Sequence, residues 1–360
     1  MITMVLTNRN RDLRIVKNCL DSLSNQNEKE FELFFVDYGS DSDYLIELKK
    51  LVVNYPKVHL ILCPVNGQLW NKSRAINIAL KLTNSPYFLV GDVDLIFAPQ
   101  FMNVAYELSK SKDIYYFKYG FLSREESLKR KKYEEYEIDF DGSIDVAGTT
   151  LFPTEKLKEI NGYDEFYHGW GAEDIDMHIR MSNLGCKLVF YDSSVLVKHQ
   201  WHPKHYRSKI SKYPFHMGLE AINHRYMNIT KSTRRIIVNQ NQEWGKMTDD
   251  IMYEKLKTSK PTVDLSLTNS LTLVRASLMQ FANFNQDILN LRVDEVDNVT
   301  KFKNQLKKWI NKKSINYISM EEVNSLILEE IIKNYRNNPY EYTFDRDLKC
   351  IQLKMFFSRT

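Results

Sequence analysis

What most limits the fold of this chain is the rhythm of its first 120 residues, where short apolar runs alternate with helix-patterned stretches. Residues 2–7 read as a strand. Residues 12–25 read as a helix with Ile15, Val16, Cys19, Leu20 and Leu23 on one face. A second strand over 31–37 is closed by Gly39-Ser40, and a helix over 44–53 and a strand over 58–63 follow. Asn71 is placed to cap a helix running to about Leu82, and 86–91 form a fourth strand leading into Asp92-Val93-Asp94. Alternation of this kind builds an α/β domain with a mostly parallel sheet covered by helices. In such sheets ligands gather beyond the carboxyl ends of the strands. Residues 7–11, Asp37 and 92–94 all fall at such ends.

Further on, the charged stretch 123–137 reads as an exposed helix or loop and 145–152 as a strand. Residues 173–184 have helical spacing and stop at Gly185, and 187–191 and 195–199 read as short strands. After about His205 helical patterns dominate (271–284, 301–310, 320–335), with Pro261 as a break. The expected division is a sheet-based domain over 1–205 and a mostly helical C-terminal extension over 206–360. A chain of 360 residues, 43% hydrophobic and 27% charged, fits one large domain plus an appendage. A net charge of +4 lacks the dense basic stripe of a nucleic-acid binder. Cys19, Cys63, Cys186 and Cys350 are far apart without C-x-x-C spacing, which argues against a zinc or disulfide framework and fits a reducing compartment. No run approaches the ~18 apolar residues of a spanning helix. The first residues turn polar too soon for a signal peptide. The expected location is therefore cytoplasmic. Peripheral contact at the inner membrane face stays open through Lys129-Arg130-Lys131-Lys132, against the alternative of a solvated charged face.

Four segments carry chemistry. In Asp92-Val93-Asp94 two carboxylates flank one residue at the end of an apolar strand, so both can approach one hard cation. Mg²⁺ or Mn²⁺ prefers oxygen ligands and bridges to phosphates. The alternative is an acid pair in a solvated turn. In Gly169-Trp170-Gly171-Ala172-Glu173-Asp174-Ile175-Asp176 three acids open a helix, where the helix dipole alone would favour them. The dipole does not need the glycines, which let backbone approach a ligand, nor Trp170, whose face can stack on a sugar ring. A carboxylate here can take a proton from an acceptor hydroxyl. Asp176 and Arg180, four apart, are placed to pair on the helix surface. His199, His202 and His205 are three of the eight histidines within seven residues. A neutral imidazole can complete a metal shell, and His199 and His202 compete for that role on spacing. Finally, Thr7-Asn8-Arg9-Asn10-Arg11 follows the first strand, and arginine forks match diphosphate oxygens. A solvated basic turn is the alternative.

Together these segments resemble the inverting glycosyltransferases of the GT-A fold, of the family 2 type. The resemblance is closest to the β-1,4-galactosyltransferases and the galactosaminyl-transferring domain of bacterial chondroitin polymerase, and it spans roughly residues 1–205. Thr7-Asn8-Arg9-Asn10-Arg11 resembles that family's arginine-rich nucleotide loop, and Val36-Asp37-Tyr38-Gly39-Ser40 the segment whose aspartate meets the nucleoside. Trp70-Asn71-Lys72-Ser73-Arg74-Ala75-Ile76-Asn77 is similar to the helix that packs on uridine, and Gly91-Asp92-Val93-Asp94-Leu95-Ile96 to the metal motif. Val146-Ala147-Gly148, Ile160-Asn161-Gly162-Tyr163-Asp164 and 169–174 resemble the acceptor and catalytic segment, and His199-Gln200 the late metal-ligand position.

The resemblance implies a Rossmann-like, nucleotide-sugar-binding sheet and a division of roles. Asp94 and His199 would hold Mn²⁺ or Mg²⁺, with Asp92 on the ribose or a metal water. Asp174 would be the base, and Glu173 would hold donor sugar or acceptor. Trp170, Gly171 and Gly148 would face the acceptor. Thr7, Arg9, Arg11, Asp37, Asn71, Lys72, Asp92 and Val93 would hold the nucleotide of a UDP-sugar. Leu196 stands where galactosyltransferases place a Met, so metal binding would be weaker or use water. The expected reaction moves a hexose or N-acetylhexosamine, with Gal or GalNAc favoured, from a UDP-sugar to a glycan hydroxyl, in bacterial surface polysaccharide synthesis. A lipid-linked acceptor and an oligomer both stay open. Two rivals remain: a retaining enzyme resembling polypeptide GalNAc-transferases, which share a Trp-Gly-x-Glu motif, and a non-catalytic sugar- or nucleotide-binding module. A glycoside hydrolase fits poorly, because adjacent residues on one helix cannot easily flank a glycosidic bond from opposite sides.

Overall fold

A computed structural model describes residues 1–146, 148–203, 214–247 and 249–357. Ala147, Lys204 and His205 lie outside the described residues, as does the expected 205/206 boundary. The chain forms two compact units, and they interleave in sequence. The first comprises 1–63, 70–204 and 220–247; the second comprises 64–69, 205–219 and 248–360.

In the first unit, strands and helices alternate as the apolar pattern predicts: β1 (Ile2–Asn8), α1 (Leu13–Ser24), β2 (Phe31–Tyr38), α2 (Ser42–Val52), β3 (Val58–Cys63), α3 (Lys72–Leu82) and β4 (Tyr87–Asp92). Asp12 caps α1 through its carboxylate and the Arg14 amide, and Asn71 caps α3 through the Arg74 amide (2.8 Å each). Every residue of β1 is buried, as a strand covered on both faces requires. The chain continues through β5 (Leu95–Phe97), α4 (Phe101–Ser109), β6 (Ile114–Phe117), β7 (Tyr119–Phe121), α5 (Arg124–Ser127), β8 (Phe140–Asp141), β9 (Thr150–Pro153) and α6 (Thr154–Glu159). It ends with α7 (Glu173–Asn183), β10 (Leu188–Tyr191), β11 (Val197–His199) and α8 (Leu219–Thr233).

The main sheet has the order β10-β6-β9-β4-β1-β2-β3, and only β9 runs antiparallel to its neighbours. A smaller sheet, β5-β11-β7-β8, carries His199 beside the 92–94 turn. The expected α/β class with a mostly parallel sheet is what the chain adopts. Because β1 lies between β4 and β2, the strand order reverses there, and the crevice beyond the carboxyl ends opens at β1. Register fixes what lines it: Thr7 is opposite Asp92, and Asn8 is opposite Asp37. Leu6, Phe35, Leu89, Phe97, Phe101, Leu151 and Val197 pack the core beneath. Leu196 packs in that core too, so the position where galactosyltransferases carry Met offers no ligand.

The charged stretch 123–137 is partly folded in. Glu126 is buried and accepts from Lys129 and Lys131, while Arg130 pairs with Asp21. The basic run is thus largely neutralised within the fold.

The second unit contains the expected helices α9 (Asp250–Thr258), α10 (Leu271–Gln280), α11 (Asn298–Trp309) and α12 (Met320–Glu330). It also holds a four-stranded sheet that the helical reading did not anticipate. Its strands are β12 (Val263–Thr268), β13 (Ile288–Asp294), β14 (Tyr340–Asp345) and β15 (Cys350–Phe356), ordered β12-β13-β15-β14. Leu289, Leu291, Val293, Ile351, Leu353 and Met355 bury its inner face, with Val323, Ile327 and Leu328 of α12 also in the core. Residues 64–69 belong to this unit: Gly67 accepts from the Tyr342 amide (3.1 Å), and the Tyr340 hydroxyl accepts from Leu69 (2.9 Å). Among the described residues no helix is long and apolar enough to cross a membrane.

One buried group sets a pH limit on the first unit. His178 of α7 shares a 3.0 Å hydrogen bond with Thr150 and stacks near Tyr116 and Phe152. Burial pushes its pKa down to about 4. The folded ring stays neutral where the unfolded one would take a proton, so stability is complete above the ordinary histidine range and falls as pH drops from about 6.5 toward 4. Discounted for partial solvent contact, the loss is about 2 kcal/mol. Urea midpoints at pH 7.5 and 5 are expected to differ less in His178→Gln than in wild type. Equal differences would remove His178 as the cause.

Candidate active site

The site gathers at the ends of β1 and β4 and the start of α7, in two charge clusters on either side of Val93. The first is built on Asp94. Its carboxylate lies 3.1 Å from Arg11 Nη2, 3.1 Å from His202 Nε2 and 3.7 Å from His199 Nε2. The ligand-capable atoms of Asp94, His199 and His202 fall within 4.8 Å of one another. Burial alone would raise the Asp94 pKa, but His199, His202 and Arg11 outweigh it and hold the carboxyl well below the usual carboxylate range. Burial lowers the His199 pKa, against the pull of Asp94. Both histidines that competed on spacing are therefore brought to the same carboxylate.

Gln200, fully buried between them, holds this strand end. Its amide donates to the Asp94 carbonyl (2.9 Å), and its side chain bonds Ile15 (3.1 Å) and Asn18 (2.9 Å) of α1. Trp201 bonds the Ser127 hydroxyl (2.7 Å).

The second cluster is built on Lys72, in the first turn of α3. Its ammonium lies 3.0 Å from Asp92, 3.0 Å from Asp174 and 3.8 Å from Glu173. Burial works against its charge, but Asp174, Asp92 and Glu173 more than compensate and raise the pKa well above normal. Burial raises the carboxyl pKa of Asp92, Glu173 and Asp174, against the pull of Lys72. One Asp174 oxygen, Oδ1, is buried without a hydrogen-bond partner, as is Arg11 Nε. Such orphaned polar atoms are costly in a folded protein, and a bound ligand would satisfy them. Gly148 lies against this cluster: a Cβ there would come within 2.9 Å of Asp92 Oδ2 and of the Tyr119 hydroxyl.

The loop before α7 needs unusual backbone. Gly169, Gly171 and Ala172 all have positive φ (72°, 102° and 76°), and Ala172 caps the helix without a side-chain bond. Asn71 steadies this loop by donating to the Glu165 carbonyl (2.9 Å) and meeting His168 (3.2 Å), while Gly169 donates to the Trp70 carbonyl (2.8 Å). Asn223 of α8 adds bonds to the His168 and Trp170 carbonyls (2.9 and 3.3 Å). Trp170 itself is 45% exposed. Asp176 and Arg180 do pair, at 2.8 Å, but not on the surface: both side chains are fully buried.

On the nucleotide side, Asp37 accepts from Asn8 (2.7 Å) and the Ser40 hydroxyl (2.6 Å), and Arg9 donates to the Gly39 carbonyl (3.0 Å). The arginine loop is thus divided, with Arg9 toward Gly39 and Arg11 toward Asp94. Thr7 and Val93 are buried at the crevice floor. No sequence motif singles out Asn223, and Gln200 reads only as part of the His199-Gln200 pair. His202 reads as the rival of His199 on spacing, and both reach Asp94.

Residues 3–160 match the profile of glycosyl transferase family 2, and residues 130–206 match the N-terminal domain of galactosyltransferase. Over these residues the chain is similar to glycosyltransferases. Its two matched segments contain every residue of both charge clusters. Chondroitin sulfate synthase 3 of Mus musculus is 27% identical to this chain over 184 residues, or 48% of this chain and 20% of that protein. The Homo sapiens protein of the same name is 28% identical over 184 residues, with the same shares. The match thus spans a fifth of the length of these curated relatives. Among solved structures, S. aureus TarS 1-349 in complex with UDP-GlcNAc aligns with a TM-score of 0.46 and 15% identity, covering 65% of this chain and 69% of that one. GalNAc-T7 with UDP, GalNAc and Mn²⁺ aligns with a TM-score of 0.48 and 14% identity, covering 64% and 48%.

Proposed function

We propose that the first unit, residues 1–63, 70–204 and 220–247, is the catalytic domain of an inverting, UDP-sugar-dependent hexosyltransferase. The observation that carries this reading is the opposition of Glu173-Asp174 and Asp92 across Lys72, next to a metal-capable Asp94–His199–His202 set. Asp174 accepts the proton from an acceptor hydroxyl; its raised pKa brings it nearer the working range of a base. Glu173 and Lys72 orient donor sugar and acceptor. Trp170 offers its exposed face to an acceptor ring, with Gly171 and Gly148 leaving room for it. Arg11, whose Nε has no partner, and Arg9 hold the diphosphate, and Asp37 holds the nucleoside.

Asp94, His199 and His202 would hold the cation, while the Asp92 carboxylate turns to Lys72 instead. One carboxylate and two imidazoles suit Mn²⁺ better than Mg²⁺. When bound, the cation supplies positive charge that stabilises the leaving UDP. The donor favoured by the resemblance is UDP-Gal or UDP-GalNAc. The acceptor is a glycan hydroxyl, and the setting is bacterial surface polysaccharide synthesis on the cytoplasmic side of the membrane.

A donor screen with UDP-Gal, UDP-GalNAc, UDP-Glc and UDP-GlcNAc, with and without Mn²⁺, tests the reaction. NMR of the product's anomeric carbon tests inversion. A product that keeps the donor's α configuration would point to a retaining enzyme instead. The metal site has its own readout. Mn²⁺ at about 100 times its Kd is expected to add ~3 kcal/mol of stability. That gain, seen as a rise in Tm, should largely vanish in Asp94→Ala and shrink in His202→Ala. A rise that survived in Asp94→Ala would place the cation elsewhere.

A further inference from the structure

The second unit carries a surface that none of this chemistry uses. Helix α11 has no buried residue along its whole length. Val299, Phe302, Leu306, Trp309 and Ile310 recur at helical spacing on one side and are 62, 58, 39, 70 and 62% exposed. At 100° per residue they fill an arc about 100° wide, a narrow apolar stripe. Lys303 and Lys307 border it, and Lys301, Lys308, Lys312 and Lys313 lie on the rest of the helix and just beyond it. No acidic residue occurs between 298 and 313. Lys301 pairs with Glu295 (2.9 Å); the other five have no carboxylate partner among the described residues. A soluble helix normally buries its apolar face, so this stripe exposed beside unpaired cations needs a partner.

We infer that α11 is a membrane-surface helix, docking on an anionic lipid bilayer with its Phe302–Leu306–Trp309 stripe in the headgroup region. The chemistry favours lipid over protein. A second copy of α11 would bring like charges together. All six cations are Lys, a residue depleted at protein interfaces, where Arg is preferred. Lysine stems can lie along the apolar boundary while their ammonium groups reach phosphate, and Trp is suited to the water–lipid interface. At about 18 Å the helix is too short to span, so it lies in the plane of the surface. The surface differs from the 129–132 basic run, whose Lys129 and Lys131 are already paired with Glu126.

Vesicle co-sedimentation of the full chain tests this without any donor sugar, so it stands apart from the transfer reaction. The chain is expected to bind vesicles containing about 30% phosphatidylglycerol, to bind pure phosphatidylcholine weakly, and to be released by high salt. Phe302→Glu with Trp309→Glu, and separately Lys303→Glu with Lys307→Glu and Lys308→Glu, should each weaken binding by more than about tenfold with Tm unchanged, because every altered residue is exposed. Lys129→Glu with Lys131→Glu should bind as wild type. No binding by wild type, or full binding by both α11 variants, overturns the inference. So does a dimer that Phe302→Glu with Trp309→Glu disrupts in the absence of vesicle binding, which would assign the stripe to self-association.

Discussion

Asp174→Asn is expected to cut transfer by about a hundredfold to ten-thousandfold, the range a positioned base contributes. UDP affinity should stay within a few-fold of wild type, since Arg9, Arg11 and Asp37, assigned to the nucleotide, lie in the loop after β1 and on β2. The fold should not suffer. Asp174 Oδ1 is buried with no partner, and Lys72 keeps Asp92 and Glu173 when the Asp174 charge is removed. Neutralising an under-satisfied carboxylate relieves a desolvation cost, so Tm should hold or rise slightly. Glu173→Gln supplies the control. It removes a charge at 3.8 Å from the same lysine but not the assigned base, so its effect should fall more on KM than on kcat. Near-wild-type turnover in Asp174→Asn would sink the base assignment. Equal kcat losses in both variants would mean the two carboxylates act as one unit.

The frame of this site was legible in sequence because its signals are local. β1 to β4 announce themselves as apolar runs, and Asn71 as a helix cap. The 92–94 and 173–174 acids are each contained in a single turn. Whatever depends on distant residues meeting was not legible. Asn223 lies 53 residues after Trp170 yet bonds the Trp170 carbonyl, and no local pattern marks it. Lys72 reads as a nucleotide contact from its helix, but its ion pairs with Asp92 and Asp174 come from elements folded onto it. The second sheet is a different case. Val263, Leu265 and Leu267 alternate with polar residues, as do Ile351, Leu353 and Met355. That period of two was present and was outweighed by the longer helical stretches around it. Asp176 and Arg180 show the limit of spacing: four apart says they can pair, but only packing decides whether the pair sits in water or in the core.

That burial makes the Asp176–Arg180 pair the largest stability lever in the domain. Both side chains are fully excluded from solvent, and each is bonded beyond its partner. Asp176 accepts from the Tyr167 hydroxyl (2.9 Å), and Arg180 donates to the Gly162 carbonyl (3.0 Å). The pair therefore ties the first turns of α7 to the 162–167 segment, next to the loop that carries Trp170 and one turn beyond Asp174. Arg180→Ala leaves the Asp176 carboxyl buried without its cation, and is expected to cost about 3–5 kcal/mol. In a domain of this size that lowers Tm by roughly 10 °C. Had the pair lain on the helix surface, the same change would cost well under about 1 kcal/mol. The double replacement Asp176→Leu with Arg180→Met separates charge from packing. If the lone buried charge is the cost, the double variant should recover most of the lost stability, because an apolar pair of similar volume avoids desolvation altogether. If it is no more stable than Arg180→Ala, the bonds to Tyr167 and Gly162 carry the effect, and the pair's role is to hold α7 in place rather than to balance charge.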